Sequence, residues 1–244
     1  MSMVAVIPAR WASTRLPGKP LVDLCGKPMI QRVYERVAQA TCFDRVLVAT
    51  DDARIRDVVA GFDGEVVMTT VDHPTGTDRI AEAVAGLACD VVVNVQGDEP
   101  FVELATLEAL VNEMTQGPWE MGTAATPIED ASQVTDPNVV KVVVDGDGGA
   151  LYFSRSAIPF QRDSGGAPPT YLRHIGLYAY RRSFLERFVA AEPSALEQTE
   201  QLEQLRALHI GARIKVIEVD EPGMGIDTSE DVARAIAYIE ETGL

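Results

Sequence analysis

Short, almost continuously apolar runs alternate along this chain with stretches in which apolar side chains recur every three or four positions. The runs are Val4-Ala5-Val6-Ile7, Val46-Leu47-Val48-Ala49, Val66-Val67-Met68 and Val91-Val92-Val93-Asn94-Val95. Runs this short, β-branched and without alternation suit strands covered on both faces of a parallel sheet. Met29, Ile30, Val33 and Val37 lie at helical spacing, as do Ile80, Val84 and Leu87, and then Leu104, Leu107, Leu110 and Val111. Strand–helix–strand repetition of this kind predicts an α/β fold with a doubly wound, mixed but mostly parallel sheet and right-handed crossovers.

The pattern changes in the second half. Val139 to Val144 runs into Asp145-Gly146-Asp147-Gly148-Gly149 and resumes at Ala150-Leu151-Tyr152-Phe153, which predicts a β-hairpin. Residues 164–169 read as a surface loop, followed by a strand from His174 to Tyr180. Helices are expected over Ser183–Ala191 and, as one longer element, Ala195–His209. A strand over Arg213–Val219 and a helix over Ser229–Glu241 follow. No polar, low-complexity linker or internal repeat interrupts the chain, so residues 1–244 are expected to form one domain, with a change of character near residue 135.

Composition narrows the classes. The 244 residues carry 21 Lys+Arg against 37 Asp+Glu, a formal charge of −16, with 46% hydrophobic and 24% charged residues. That is an ordinary globular composition, long enough to bury a core without disulfides or structural metal. The acidic balance argues against nucleic acid, whose binding runs on Lys and Arg neutralising phosphates. Cys25, Cys42 and Cys89 show no metal-ligand spacing and suit a reducing, cytoplasmic setting. No apolar run approaches the length of a membrane span, and Arg10 interrupts the hydrophobic start, so neither a span nor a signal peptide is expected.

The first strand leads into Arg10-Trp11-Ala12-Ser13-Thr14-Arg15-Leu16-Pro17-Gly18-Lys19-Pro20, a loop with three cations, two hydroxyls and no acid. At the carboxyl end of a strand in an open α/β sheet, it stands where such folds bind ligands. Fixed charge, hydroxyls and backbone N–H groups suit a triphosphate. It is neither a Walker A loop nor a dinucleotide fingerprint, which counts against P-loop hydrolysis and an NAD-linked oxidoreductase.

Pro8-Ala-Arg-x-x-Ser-Thr-Arg-Leu-Pro-Gly-Lys-Pro20 resembles the signature loop of the nucleotide-sugar cytidylyltransferases, specifically the 3-deoxy-manno-octulosonate (Kdo) cytidylyltransferases. Further segments carry the same resemblance in order: Asp51-Asp52-x-Arg54-Ile55, Gly76-Thr-Asp-Arg-Ile-Ala-Glu82, Asn94-Val-Gln-Gly-Asp-Glu-Pro100 and Asn138-Val-Val-Lys-Val142. Ala150-Leu-Tyr-Phe-Ser-Arg-Ser156, His174-Ile-Gly-Leu-Tyr-Ala-Tyr180, Leu202-Glu-Gln-Leu-Arg206 and Gly225-Ile-Asp-Thr228 complete it. The resemblance spans residues 4 to about 234.

It implies a Rossmann-like nucleotide-diphospho-sugar transferase fold that moves CMP from CTP to the anomeric hydroxyl of a keto-sugar acid with Mg²⁺, releasing pyrophosphate for lipopolysaccharide synthesis. The half up to about residue 135 would bind CTP; the half from about 136 would bind the acceptor and contribute to a homodimer. Asp98, after a buried strand, and Asp227, before the last helix, would hold the metal. Asp227 competes in this reading with a plain role as helix N-cap, for which Thr228 and Ser229 are rivals. Arg10, Arg15 and Lys19 would face the phosphates, Lys19 nearest the leaving group, with Ser13 and Gln96 alongside. Pro8, Ala9, Thr75 (where Ser is usual), Gly76, Thr77 and Arg79 would form the cytosine and ribose pocket. Arg155, His174, Tyr178, Glu203 and Gln204 would bind the acceptor, His174 and Tyr178 sharing one strand face by their i, i+4 spacing. No general base stands out. Acceptors of 8-amino-Kdo or sialic acid type, or a non-catalytic nucleotide-binding module, remain the alternatives.

The distribution of charge now matters more than its total. Residues 1–36 carry +4 and the remainder −20, with no Lys or Arg from Ile80 to Val140. A cationic segment for triphosphate and an acidic remainder supplying metal ligands is the division this implies.

Overall fold

The computed structural model describes residues 1–12, 16–163, 165, 169–220 and 223–244. The chain forms two compact units, Met1–Glu108 with Gly223–Leu244, and Ala109–Pro222.

The first unit starts with β1 (Met3–Ala9), a 3₁₀ turn (Lys19–Leu21), β2 (Asp23–Leu24), β3 (Lys27–Pro28) and α1 (Met29–Val37). It continues through β4 (Arg45–Thr50), α2 (Ala53–Gly61), β5 (Val66–Met68), α3 (Gly76–Ala83), β6 (Val91–Asn94) and into α4 (Leu104–Gln116). Its strands lie in the order β6-β1-β4-β5, all parallel. The four apolar runs of the sequence are these strands, and Val4 to Ile7 are almost wholly buried because α1 and α3 pack on β1. Met29, Ile30, Val33 and Val37 are the buried stripe of α1, as their spacing predicts. The helix α2 is capped by Asp52, whose side chain accepts from Arg54 N. Because Ala9 pairs with Thr50 and Val6 with Asn94, the carboxyl ends of β1, β4 and β6 stand side by side.

The second unit contains β7 (Met121–Pro127), α5 (Ala131–Thr135), β8 (Lys141–Val144), β9 (Ala150–Ser154) and β10 (Leu172–Arg181). Then come α6 (Arg182–Val189), α7 (Ala195–Glu200), α8 (Gln204–His209) and β11 (Ile214–Glu218). β7 pairs parallel with β11 and antiparallel with β10, and β8 pairs antiparallel with β9 and with the start of β10. The expected hairpin is present, its turn held by Asp145, whose carboxylate accepts from Asp147 N and Gly149 N. The chain then returns to the first unit as α9 (Ser229–Thr242).

Besides the short β2, β3 and α5, which the spacing does not predict, two differences from the sequence expectation have a plain physical reason. β7 was not expected, because Met121-Gly-Thr-Ala-Ala-Thr-Pro127 lacks an apolar or β-branched run. Its small residues are required by packing: a Cβ on Gly122 would fall 2.8 Å from Leu110 Cδ1 and 3.0 Å from Met114 Sδ of α4. The single helix expected over 195–209 is two. Ser194 and Glu197 form a capping box at the start of α7, and Gln201 turns the chain left-handed at φ 53° before α8 begins.

Lys141 is a buried lysine whose ammonium is held by backbone carbonyls. Its Nζ donates to the carbonyls of Asp136 (3.0 Å), Val139 (2.5 Å) and Arg155 (2.6 Å). Burial pulls its pKa below the usual lysine value. Replacing it by Met leaves three buried acceptors unserved, so Lys141→Met is expected to lower unfolding stability by about 3 kcal/mol, read as a shifted urea midpoint. An unchanged midpoint would remove Lys141 as the strap that holds these loops.

Candidate active site

In the first unit the end of β1 opens into a cleft of about 420 Å³, lined by Pro8, Ala9, Arg10, Lys19, Gln96, Gly97, Asp98 and Asp227 among others. Gly97 allows the loop after β6 to lie on β1: a Cβ there would meet Pro8 O at 3.0 Å. The stretch before α9 is bound to the same loop, since Ile226 N donates to Asp98 O at 2.9 Å. Three segments far apart in sequence are thus fastened around one space.

Their side chains converge. Lys19 Nζ donates to Asp98 Oδ2 in a very short contact and to Asp227 Oδ1 at 2.8 Å. Burial of the Lys19 side chain opposes its charge, but the two carboxylates outweigh that and hold its pKa above the ordinary lysine value. In this structure its ammonium is therefore spent on the two aspartates expected to hold metal. Arg10, which also lines this cleft, is exposed.

The rivalry over Asp227 is settled by the cap. Thr228 is the N-cap of α9, accepting from Asp231 N at 3.2 Å, and Asp231 answers by accepting from Thr228 N at 2.9 Å. Asp231 also accepts from Asp227 N at 3.0 Å, and these bonds hold its carboxyl far below the usual range. Asp227 thus gives its backbone to the cap and its carboxylate to the cleft.

Ser13 and Arg15 lie outside the described residues. Thr75 is the N-cap of α3, accepting from Asp78 N and donating to Asp78 Oδ2. Gly76 brings the first turn of α3 beside Pro8: a Cβ there would be 3.8 Å from the proline ring. Thr77 is buried in that turn. Arg79, also buried, pairs with Asp51 at 3.3 Å and donates to Thr69 Oγ1 and Thr70 O. Asp51 follows β4 directly, and its other oxygen, Oδ1, is buried without a partner among the described residues. Gln96 lines the cleft and donates to Asn94 Oδ1 at 3.3 Å.

The second unit holds the expected acceptor residues. His174 and Tyr178 have ring centroids 5.4 Å apart, and Phe153 stands edge-on to His174. Strand alternation alone does not explain this: four residues of regular strand span about 13 Å. The β7–β10 register shifts between Ile175 and Tyr178, a β-bulge that sharpens the local bend. Tyr178 donates to Gln204 Oε1 at 3.2 Å, and Gln204 Nε2 is buried without a partner among the described residues. Glu203 lies 3.3 Å from Arg206, which is held mainly by Glu197. The Arg155 guanidinium donates to the carbonyls of Glu200 (2.7 Å), Pro137 (2.8 Å) and Gln201 (3.3 Å). His174, Tyr178 and Gln204 therefore touch in a chain, while Arg155 straps the turn after α7.

The tautomer of His174 follows from its partner. The Thr123 hydroxyl has one proton and lies 2.7 Å from Leu177 O and 3.1 Å from Ile175 O, both pure acceptors. Toward His174 Nε2, 2.9 Å away, it must accept, so the imidazole carries its proton on Nε2 and presents a lone pair at Nδ1. Burial pushes the His174 pKa down to about 3. The unfolded chain then binds the extra proton first, so this group's contribution to stability is complete above pH ~6.5 and is lost as pH falls toward 3. The His174 ring is expected to show no NMR titration between pH 5 and 8, and His174→Gln to flatten the loss of stability from pH 7 to 4.5. A midpoint near 6.5 would contradict the assignment.

Among the described residues no helix is long and apolar enough to cross a membrane, no group of three or more His, Cys, Asp or Glu could hold a metal, and no disulfide joins any of the three cysteines.

Comparison with known proteins gives the setting of this geometry. A family model described as Cytidylyltransferase matches residues 4–214. The chain is 54% identical to a 3-deoxy-manno-octulosonate cytidylyltransferase of Syntrophotalea carbinolica, covering 98% of this chain and 99% of that one. It is 48% identical to the protein of the same name from Geobacter sulfurreducens, over 98% and 100%. Among solved structures, a CMP:2-keto-3-deoxy-manno-octonic acid synthetase complexed with CTP superposes with a TM-score of 0.94 at 42% identity, covering 99% of this chain and all of that one. A 4-diphosphocytidyl-2C-methyl-D-erythritol synthase from Anaerococcus prevotii, 18% identical with a TM-score of 0.65 over 98% of each chain, shares the fold.

Proposed function

Since this chain belongs to the 3-deoxy-manno-octulosonate cytidylyltransferases, a group of nucleotidyltransferases, we propose that it transfers CMP from CTP to the anomeric hydroxyl of Kdo, with Mg²⁺, releasing pyrophosphate. The observation that carries this reading is the meeting of Lys19, Asp98 and Asp227 in the cleft at the end of β1.

The donor set fits the metal. Asp98 and Asp227 offer hard carboxylate oxygens that already address one cation, the Lys19 ammonium. Two protein carboxylates suit Mg²⁺, which usually takes its remaining ligands from water and substrate phosphates. Bound there, the ion would supply Lewis-acid stabilisation of charge on the phosphates.

The chain's own groups do the rest. Arg10 and Lys19 place positive charge where a triphosphate would enter, so charge passing to the leaving pyrophosphate meets fixed cations rather than reorganising water. The backbone of Pro8 and Ala9 with the first turn of α3 forms the wall for the nucleoside. In the second unit, His174 Nδ1 offers an acceptor and Gln204 Nε2 a donor to sugar hydroxyls, between aromatic rings. The product would feed lipopolysaccharide synthesis, made by a homodimer in the cytoplasm. Elution at twice the chain mass tests the dimer.

Pyrophosphate release, measured with CTP, Mg²⁺ and a panel of keto-sugar acids, tests the whole reading. Kdo is expected to be turned over at least ~10²-fold faster than a sialic acid, because a substrate that leaves buried polar groups unpaired is rejected strongly. Release with a sialic acid but not with Kdo would overturn the acceptor assignment and leave the nucleotide site standing.

A further inference from the structure

Trp11 lies on the first arm of the loop after β1, beside Arg10, and Gly18 begins the turn that carries Lys19 on the second arm. The indole lies against the bare Cα of Gly18: a Cβ there would stand 2.9 Å from Trp11 Cη2. Gly18 is left-handed (φ 68°), and its carbonyl accepts from Leu21 N at 2.9 Å while Lys19 N donates to Leu16 O at 3.1 Å. The backbone at Lys19 is therefore set by a tight turn whose first residue rests on the indole.

The ring has a second support. The Arg54 guanidinium carbon lies 3.4 Å from the centroid of the Trp11 ring, a stacking distance. Arg54 does not float: Nε and Nη2 donate to Asp52 Oδ1 (2.9 Å) and Oδ2 (2.6 Å), and the same carboxylate caps α2. A continuous path of contacts runs from α2 through Asp52, Arg54 and Trp11 to Gly18, next to Lys19.

We propose that Trp11 is a positioning residue for the nucleotide, a clamp between Arg54 and Gly18 that fixes Arg10 and Lys19 relative to each other before CTP arrives. It works through its neighbours: Arg10 on the first arm and Lys19 on the second reach their places only when the two arms are held together. Nothing in the loop's charge pattern requires an aromatic residue at position 11, so the spacing of cations alone gives no hint of this role. The inference deepens the nucleotide reading of the cleft and rests on it.

Calorimetric titration of CTP in Mg²⁺ buffer, without acceptor, tests the clamp on the full chain. Trp11→Ala is expected to weaken CTP binding about 10-fold, the loss of a preorganised site. Trp11→Phe should recover part of that, because a phenyl ring keeps a face for Arg54 although it stops short of the indole edge that meets Gly18, and Arg54→Met should also fall between. In steady state the rise in KM for CTP should exceed the fall in kcat, with the KM for the acceptor unchanged. Trp11→Ala or Arg54→Met binding CTP as tightly as the wild type would overturn the clamp, as would equal losses for Trp11→Phe and Trp11→Ala. Should Trp11→Ala not fold, the Arg54→Met and Trp11→Phe titrations decide alone. Failure of the wild type to bind CTP sinks the functional reading instead, and the same variant ratios measured with whichever nucleotide it does bind still judge the clamp.

Discussion

Asp98→Asn is expected to lower turnover with CTP, Mg²⁺ and Kdo by about 10²–10³-fold, the scale of losing one charge-stabilising group at a reacting phosphate. Asparagine keeps the size and one acceptor oxygen, so the change removes charge and little else. Lys19 retains Asp227 as a partner at 2.8 Å, and the Ile226 N to Asp98 O bond is made by backbone. The fold therefore has no large term to lose, and the melting temperature is expected to move by only a few degrees. Asp227→Asn should act similarly, since its structural duty is discharged by its backbone N–H to Asp231 while its carboxylate faces the cleft. Steady-state rates with thermal melts of both variants check this. Near-normal turnover in either would take that residue out of the metal site.

Lys19→Met is the second large effect. Methionine keeps the stem but leaves two carboxylates facing one space with no cation between them, and like charges in one site disfavour double ionisation. Turnover should fall about 10²–10³-fold, because the cation proposed to stand nearest the leaving phosphates would be gone. A separate signature needs no turnover. On the proposed reading Mg²⁺ would share the aspartates with Lys19 in the wild type; in the variant it would relieve a bare repulsion. The rise in melting temperature on adding Mg²⁺ should then be larger in Lys19→Met than in the wild type, and an equal rise would contradict the shared site. The pH dependence has a definite sign. A lysine whose folded pKa is raised gives a stabilisation that is complete below pH ~10.5 and is lost as pH climbs through the raised value. Between pH 6 and 9 Lys19 stays charged in the metal-free protein, and no change of stability in that range belongs to it.

Much of the first unit was legible because its signals are local. β1, β4 and β6 are buried on both faces and read as unbroken apolar runs; α1 reads from its stripe. β7 was not legible, since Leu110 and Met114 of α4 leave no room for a Cβ at Gly122, and the alanines and isolated threonines around it make no apolar or β-branched run. The break at Gln201 was hidden for the opposite reason: the apolar spacing continues across it, and only the left-handed residue stops the helix.

The site shows the same division. The cationic loop stands out in the charge distribution, whereas Asp98 and Asp227 are marked by the resemblance; they meet at Lys19 in the structure. The cap on α9 could have been read from Thr228-x-x-Asp231, a capping-box spacing, which frees Asp227 for another duty. Arg79 and Arg155 could not be placed by sequence: both read as ligand cations, yet one is spent on Asp51, Thr69 and Thr70 and the other on three backbone carbonyls. Trp11 and Arg54 were missed because a stacking contact between residues forty-three positions apart leaves no periodic trace. The bend that joins His174 to Tyr178 comes from a bulge, which alternation does not encode.

One measurement bears most directly on the proposed reaction: ³¹P NMR of the enzyme with CTP, Mg²⁺ and Kdo. Transfer of CMP predicts loss of the three CTP resonances with equal growth of pyrophosphate and a single phosphodiester signal, dependent on Mg²⁺ and on Kdo. CTP left intact with Kdo present, or converted to free CMP at the same rate without it, would contradict transfer to this acceptor.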